Sequence, residues 1–109
     1  MREAVWIPNP VLRPVSAMVS RDVTIVNQLG LHARAAAKFV RLATRFDSQI
    51  RITRDNQAMD GKSIMGILLL AASRGVRLTI SADGRDESAA VDALCQRVQC
   101  GFGEDSCSV

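Results

Sequence analysis

His32 is the only histidine in a chain of 109 residues. It sits in the stretch Gln28-Leu29-Gly30-Leu31-His32-Ala33-Arg34-Ala35-Ala36-Ala37-Lys38. Neutral imidazole is a nucleophile near pH 7 and can accept a phosphoryl group. Arg34 offers a planar, permanently charged fork that fits phosphate oxygens. A β-rich run, Val23-Thr24-Ile25-Val26, comes before, and Ala36, Phe39, Val40 and Ala43 recur afterwards at helical spacing. The pattern predicts a strand that turns through Gly30 into a helix N-terminus at His32. The first N–H groups of a helix lack an internal acceptor and the helix dipole is positive there, so a phosphate is stabilised at that place. Taken alone, the same residues also fit a surface histidine beside a solvated arginine.

Two further segments stand out. Gly61-Lys62-Ser63-Ile64-Met65-Gly66 opens a short apolar stretch, and Ala82-Asp83-Gly84-Arg85-Asp86-Glu87 leads into a last helical pattern. Gly61-Lys62-Ser63 is not a nucleotide P-loop, because the upstream glycine of that motif is missing and Asn56 stands in its place.

Gly30-Leu31-His32-Ala33-Arg34 before an Ala-rich helix resembles the active centre of the HPr family, the histidine phosphocarriers of the phosphoenolpyruvate-dependent phosphotransferase system. The Gly61–Gly66 segment resembles that family's regulatory-serine segment, and Ala82–Glu87 is similar to its final turn. The resemblance runs from about Arg21 to Phe102. It implies a stoichiometric carrier rather than an enzyme, with no cofactor and no metal. His32 would accept phosphate on Nδ1 from Enzyme I and pass it to IIA-type domains, and Arg34 would stabilise the added charge. Ser63 would be a substrate of the family's HPr kinase/phosphorylase. Local sequence leaves Ser63 equally readable as a plain helix cap. Ile64 and Met65, on a helix too short to bury every side, are the expected docking residues.

Two positions depart from the family pattern. Ala35 replaces a common proline directly after the arginine, and Leu29 replaces a polar residue common in sugar-branch members. Gln28-Leu29-Gly30 is closer to the nitrogen-related branch, NPr. The alternative reading is therefore a regulatory interaction module of nitrogen type that binds partners according to its phosphorylation state.

Composition narrows the field. A net charge of +3 with interspersed acids does not call for nucleic acid. The only aromatic residues are Trp6, Phe39, Phe46 and Phe102, too few for base-stacking platforms. No apolar run approaches the roughly 18 residues of a membrane span, so no insertion is expected. Cys95, Cys100 and Cys107 are odd in number and contain no CxxC pair, which fits a reducing cytoplasm and neither a disulfide framework nor a metal site. The expected state is a cytoplasmic monomer.

In order, residues 1–20 hold all three prolines without an amphipathic period and read as a disordered leader, either a real extension or the product of an upstream start codon. Residues 21–103 form the expected domain and 104–109 a flexible tail. Strands are expected at about 22–27, 49–53, 57–60 and 76–83, and helices at about 33–44, 63–70 and 87–100. On the first helix Lys38, Arg41 and Arg45 should face outward. Ser63 and Asp86 are the expected caps of the second and third helices. Strands with one polar face in the order βαββαβα imply an α+β fold, an antiparallel sheet covered by helices on one side. The HPr resemblance implies the same open-faced β-sandwich: four strands ordered 1-4-2-3 under three helices.

Overall fold

The computed structural model describes residues 18–103. The leader up to residue 17 and the tail from 104 lie outside the described residues. Strand β1 is Val19–Thr24, β2 Gln49–Arg54, β3 Gln57–Asp60 and β4 Arg77–Asp83. Helix α1 is Ala33–Ala43, α2 Ile64–Leu69 and α3 Glu87–Gln99, followed by a short turn of 3-10 helix at Gly101–Gly103. The strands form one antiparallel sheet in the order β1-β4-β2-β3, as expected.

Alternation builds that sheet. Ile50 and Ile52 of β2 and Leu78, Ile80 and Ala82 of β4 point to one face and are buried. Arg51, Ser81 and Thr79 lie on the other face, where the Thr79 hydroxyl donates to the Asp22 carboxylate at 2.7 Å. The inner face is closed by Phe39, Ala36 and Ala43 of α1, Ile67 of α2, and Val91, Leu94 and Val98 of α3. Removing a ring such as that of Phe39, which is fully buried, would cost about 3–5 kcal/mol.

Three local expectations need correction. β1 lies about three residues earlier than its apolar run implied, because its pairing with β4 sets Val19 opposite Ala82 and Thr24 opposite Arg77. Val19 and Ser20, assigned above to the leader, are therefore in the sheet. Lys38 does not simply face solvent, since its ammonium donates to the Phe102 carbonyl at 2.8 Å and ties α1 to the chain end beyond α3. Asp86 stands at the N-cap position of α3 but makes no side-chain cap. Its carboxylate instead accepts from the Asp47 and Ser48 N–H groups, at 2.9 and 3.0 Å, and from the Ser48 hydroxyl. Gly84 permits that approach, because a Cβ there would stand 2.6 Å from Ser48 Cα.

Candidate functional site

The site begins with a turn. Asn27 is fully buried, and its side-chain amide donates to the Gly30 carbonyl at 2.8 Å. Gly30 N–H returns to the Asn27 carbonyl at 3.2 Å. Gly30 adopts φ +69°, and a Cβ there would lie 2.6 Å from the Ala72 carbonyl oxygen. Both facts demand glycine: the left-handed backbone suits it, and the close approach leaves no room for a side chain. Leu31 then donates to that same Ala72 carbonyl at 2.9 Å. The turn is thus locked internally by Asn27 and externally by the segment leaving α2.

His32 follows as the N-cap residue of α1, with extended backbone at φ −78° and ψ 179°. Its carbonyl accepts the Ala36 N–H at 2.9 Å, and its Nδ1 accepts the Arg34 N–H at 3.2 Å. Nδ1 accepts that N–H through its lone pair, the electrons a nucleophile needs, so the pair is engaged by Arg34 until an incoming group displaces the bond. The ring is half-buried, while Arg34 is exposed at the first turn of α1. Ala35 is fully buried. The helix start, the Nδ1 lone pair and the Arg34 side chain therefore share one end of α1, an arrangement suited to stabilising an anion bonded to that nitrogen.

Ser63 is the N-cap of α2, and its Oγ accepts the Gly66 N–H at 3.0 Å. Lys62, its neighbour in the motif, donates from Nζ to the Phe46 carbonyl at 2.7 Å and so braces the turn after α1. On α2 the burial is split. Ile67 and Leu70 are buried and Leu68 is half-buried, while Ile64 is 40% exposed and Met65 69%. Leu69 at 62% and Leu29 at 72% belong with these exposed apolar side chains; Leu29 stood out in the sequence only as a departure from the family pattern, and Leu69 did not stand out at all. Asn27 was also missed: it was counted as the end of a strand, although an Asn three residues before a Gly is turn chemistry. Cys95 is a buried core residue, and burial pushes its thiol above the ordinary range. Among the described residues no helix is long and apolar enough to cross a membrane.

The sequence model of a family described as "PTS HPr component phosphorylation site" matches residues 19–99. The phosphocarrier protein HPr of Cupriavidus necator is 49% identical over 87 residues, covering 80% of this chain and 98% of that one. The phosphocarrier protein NPr of Shewanella violacea is 42% identical over 88 residues, covering 81% and 97%. A crystal structure of HPr from Thermoanaerobacter tengcongensis matches with a TM-score of 0.78 at 44% identity, covering 81% of this chain and 99% of that one. The chain belongs to the HPr family, the phosphocarriers of the phosphotransferase system.

Proposed function

We propose that His32 is the phosphoryl acceptor, charged by the phosphorylated Enzyme I and discharged to IIA-type domains. The observation that carries this reading is the Nδ1 lone pair of His32 at the start of α1, 3.2 Å from the Arg34 N–H. In the step proposed, Nδ1 attacks the donor's phosphorus. A P–N bond forms at His32 as the donor's bond to phosphorus breaks, and the donor leaves with that electron pair. The second transfer reverses the sequence onto the next acceptor, with neutral imidazole as the leaving group. The added group carries roughly −1.5 to −2 charges. Arg34 and the N–H groups of the first turn of α1 stabilise it, the Arg34 N–H exchanging a nitrogen acceptor for a phosphoryl oxygen. Ile64 and Met65 present the apolar surface on which partners dock. Ser63 is the regulatory serine, open to the family's HPr kinase/phosphorylase. The carrier works as a cytoplasmic monomer, its domain preceded by a leader that transfer does not need.

The test is incubation with phosphoenolpyruvate and Enzyme I, followed by intact mass and acid treatment. One acid-labile phosphoryl group should appear on the wild type and none on His32→Ala. Equal labelling of His32→Ala would overturn the assignment. The regulatory reading is favoured by Leu29, an apolar side chain 72% exposed in the turn before His32. It predicts that partner binding changes with phosphorylation even where onward transfer to a IIA-type domain fails.

A further inference from the structure

The segment leaving α2 holds the turn that carries His32, and its own backbone is strained. Leu70 is buried, and Ala71 follows at φ 50°, a left-handed conformation that a Cβ disfavours. Ala72 is buried again, and its carbonyl is the acceptor of the Leu31 N–H. Gly30 lies directly on the backbone of Ala72 and Ser73. Residues 70–73 therefore form the floor beneath the histidine turn, and their conformation needs a cause.

Arg54, the last residue of β2, supplies one. Its Nη1 donates to the Leu70 and Ala71 carbonyls, each at 2.9 Å. The last carbonyls of a helix have no intrahelical donor, and the dipole is negative there, so a cation fits. The need is acute in α2. It has six residues, far too few to be stable alone, and no basic residue in its own last turn. The Leu70 and Ala71 N–H groups return to the Ile67 and Leu68 carbonyls, which completes the turn as Arg54 holds its carbonyls from outside. The hairpin of β2 and β3 thus reaches over to the helix end, with Asp55 at φ 54° starting the two-residue turn between the strands.

We propose that Arg54 is a positioning residue for phosphoryl transfer. It fixes the left-handed exit of α2 and, through the Ala72 carbonyl and the Leu31 N–H, the turn before His32. By holding one end of α2 it also sets the pose of Ile64, Met65 and Leu69. The proposal rests on the reading of His32 as acceptor, but its first consequence can be measured without any partner.

Arg54 has a side chain one-third exposed, so Arg54→Ala should leave the core intact. Arg54→Lys keeps a cation able to donate to both carbonyls, and Arg54→Gln keeps a neutral donor should the alanine variant fold poorly. In Arg54→Ala, exchange of the Leu31 amide should quicken by about tenfold while that of Ile80 in β4 stays at its wild-type rate. With Enzyme I, the KM for this carrier should rise about three- to tenfold, kcat changing by less than about twofold, because docking rather than chemistry is disturbed. Arg54→Lys should recover most of both effects, and Arg54→Gln less. Unchanged Leu31 exchange overturns the proposal. So does a rise at Leu31 matched by Ile80, which would mean uniform destabilisation, or an unaltered KM despite faster exchange. A wild-type chain that accepts no phosphate while Leu31 still responds would instead sink the phosphocarrier assignment of His32 and leave the Arg54 linkage standing.

Discussion

Helices α1 and α2 begin in the same way and for different reasons. Each has an N-cap residue with extended backbone whose side chain accepts an N–H from the first turn, His32 Nδ1 from Arg34 and Ser63 Oγ from Gly66. Serine is among the best residues for that position, and histidine is not among the preferred ones. α1 can tolerate a poor cap. It has eleven residues and buries Ala35, Ala36, Phe39 and Ala43 against the core. α2 has six residues and buries only Ile67, so its end interactions matter more. Stability explains the serine and leaves the histidine unexplained. A weak cap retained at a well-anchored helix start is what a site selected for a nucleophile would look like.

Replacing His32 tests this contrast most severely. His32→Ser installs a better cap and removes the nucleophile. Labelling by Enzyme I should vanish completely, while the melting temperature holds or rises slightly, as expected for a gain of a few tenths of a kcal/mol or more. A large fall in melting temperature would show that the imidazole is structural and break the contrast.

The next effect concerns Ser63. Ser63→Ala should cost about 0.5–2 kcal/mol of stability and leave His32 labelling intact once measured well below the melting transition. Ser63→Asp should behave oppositely. Aspartate is itself a good cap and complements the dipole, so stability should change little. Its charge, however, enters the exposed apolar surface of Ile64 and Met65, which under the docking proposal would lose water against a partner. Initial rates of labelling should fall, modestly, because Asp has less charge and fewer oxygens than a phosphoserine. Equal rates for Ser63→Asp and wild type would remove Ser63 from the docking face.

The parts of this fold that were legible in the sequence are those whose cause is local. Ile50 and Ile52, and Leu78, Ile80 and Ala82, alternate with polar residues, so their strands and inner face followed from period alone. The Gly30–Arg34 stretch announced a turn into a helix for the same reason. What escaped was set by residues distant in sequence. Val26 has β propensity but is 45% exposed and lies past the end of β1, because pairing with β4 rather than the apolar run fixes that strand. Lys38 reads as an outward residue until the chain returns after α3 and offers it the Phe102 carbonyl. Arg54 falls between the strands expected at about 49–53 and 57–60, and its partners at the exit of α2 lie sixteen and seventeen positions away. Within the candidate site, the residue types that could do chemistry were visible, whereas Asn27, which holds the turn, was not.

The start of α3 is a third case, with the smallest expected effect, and it separates capping from clamping. Asp86 occupies the N-cap position, yet its carboxylate is turned to residues 47 and 48. The Ser48 hydroxyl above all, together with the Asp47 and Ser48 N–H groups, holds the Asp86 carboxyl below the usual carboxylate range. A carboxyl with a lower folded than unfolded value releases its proton more readily in the folded state. Its stabilising contribution is therefore complete above the unfolded value of about 3.9 and is lost as pH falls through the folded one. Asp86→Asn keeps a single acceptor oxygen and cannot titrate. Its stability should be lower than wild type at pH 7, and the two should converge as pH drops below about 4. Urea unfolding at a series of pH values measures the convergence directly. Labelling of His32 at pH 7 should stay unaltered, since the hydrogen bonds of the Asp86 carboxylate run to Asp47 and Ser48 and not to the turn before α1. Parallel stability curves from neutral to acid pH would show that the clamp does not depend on the carboxylate charge, and that Asp86 serves α3 as an ordinary helix start after all.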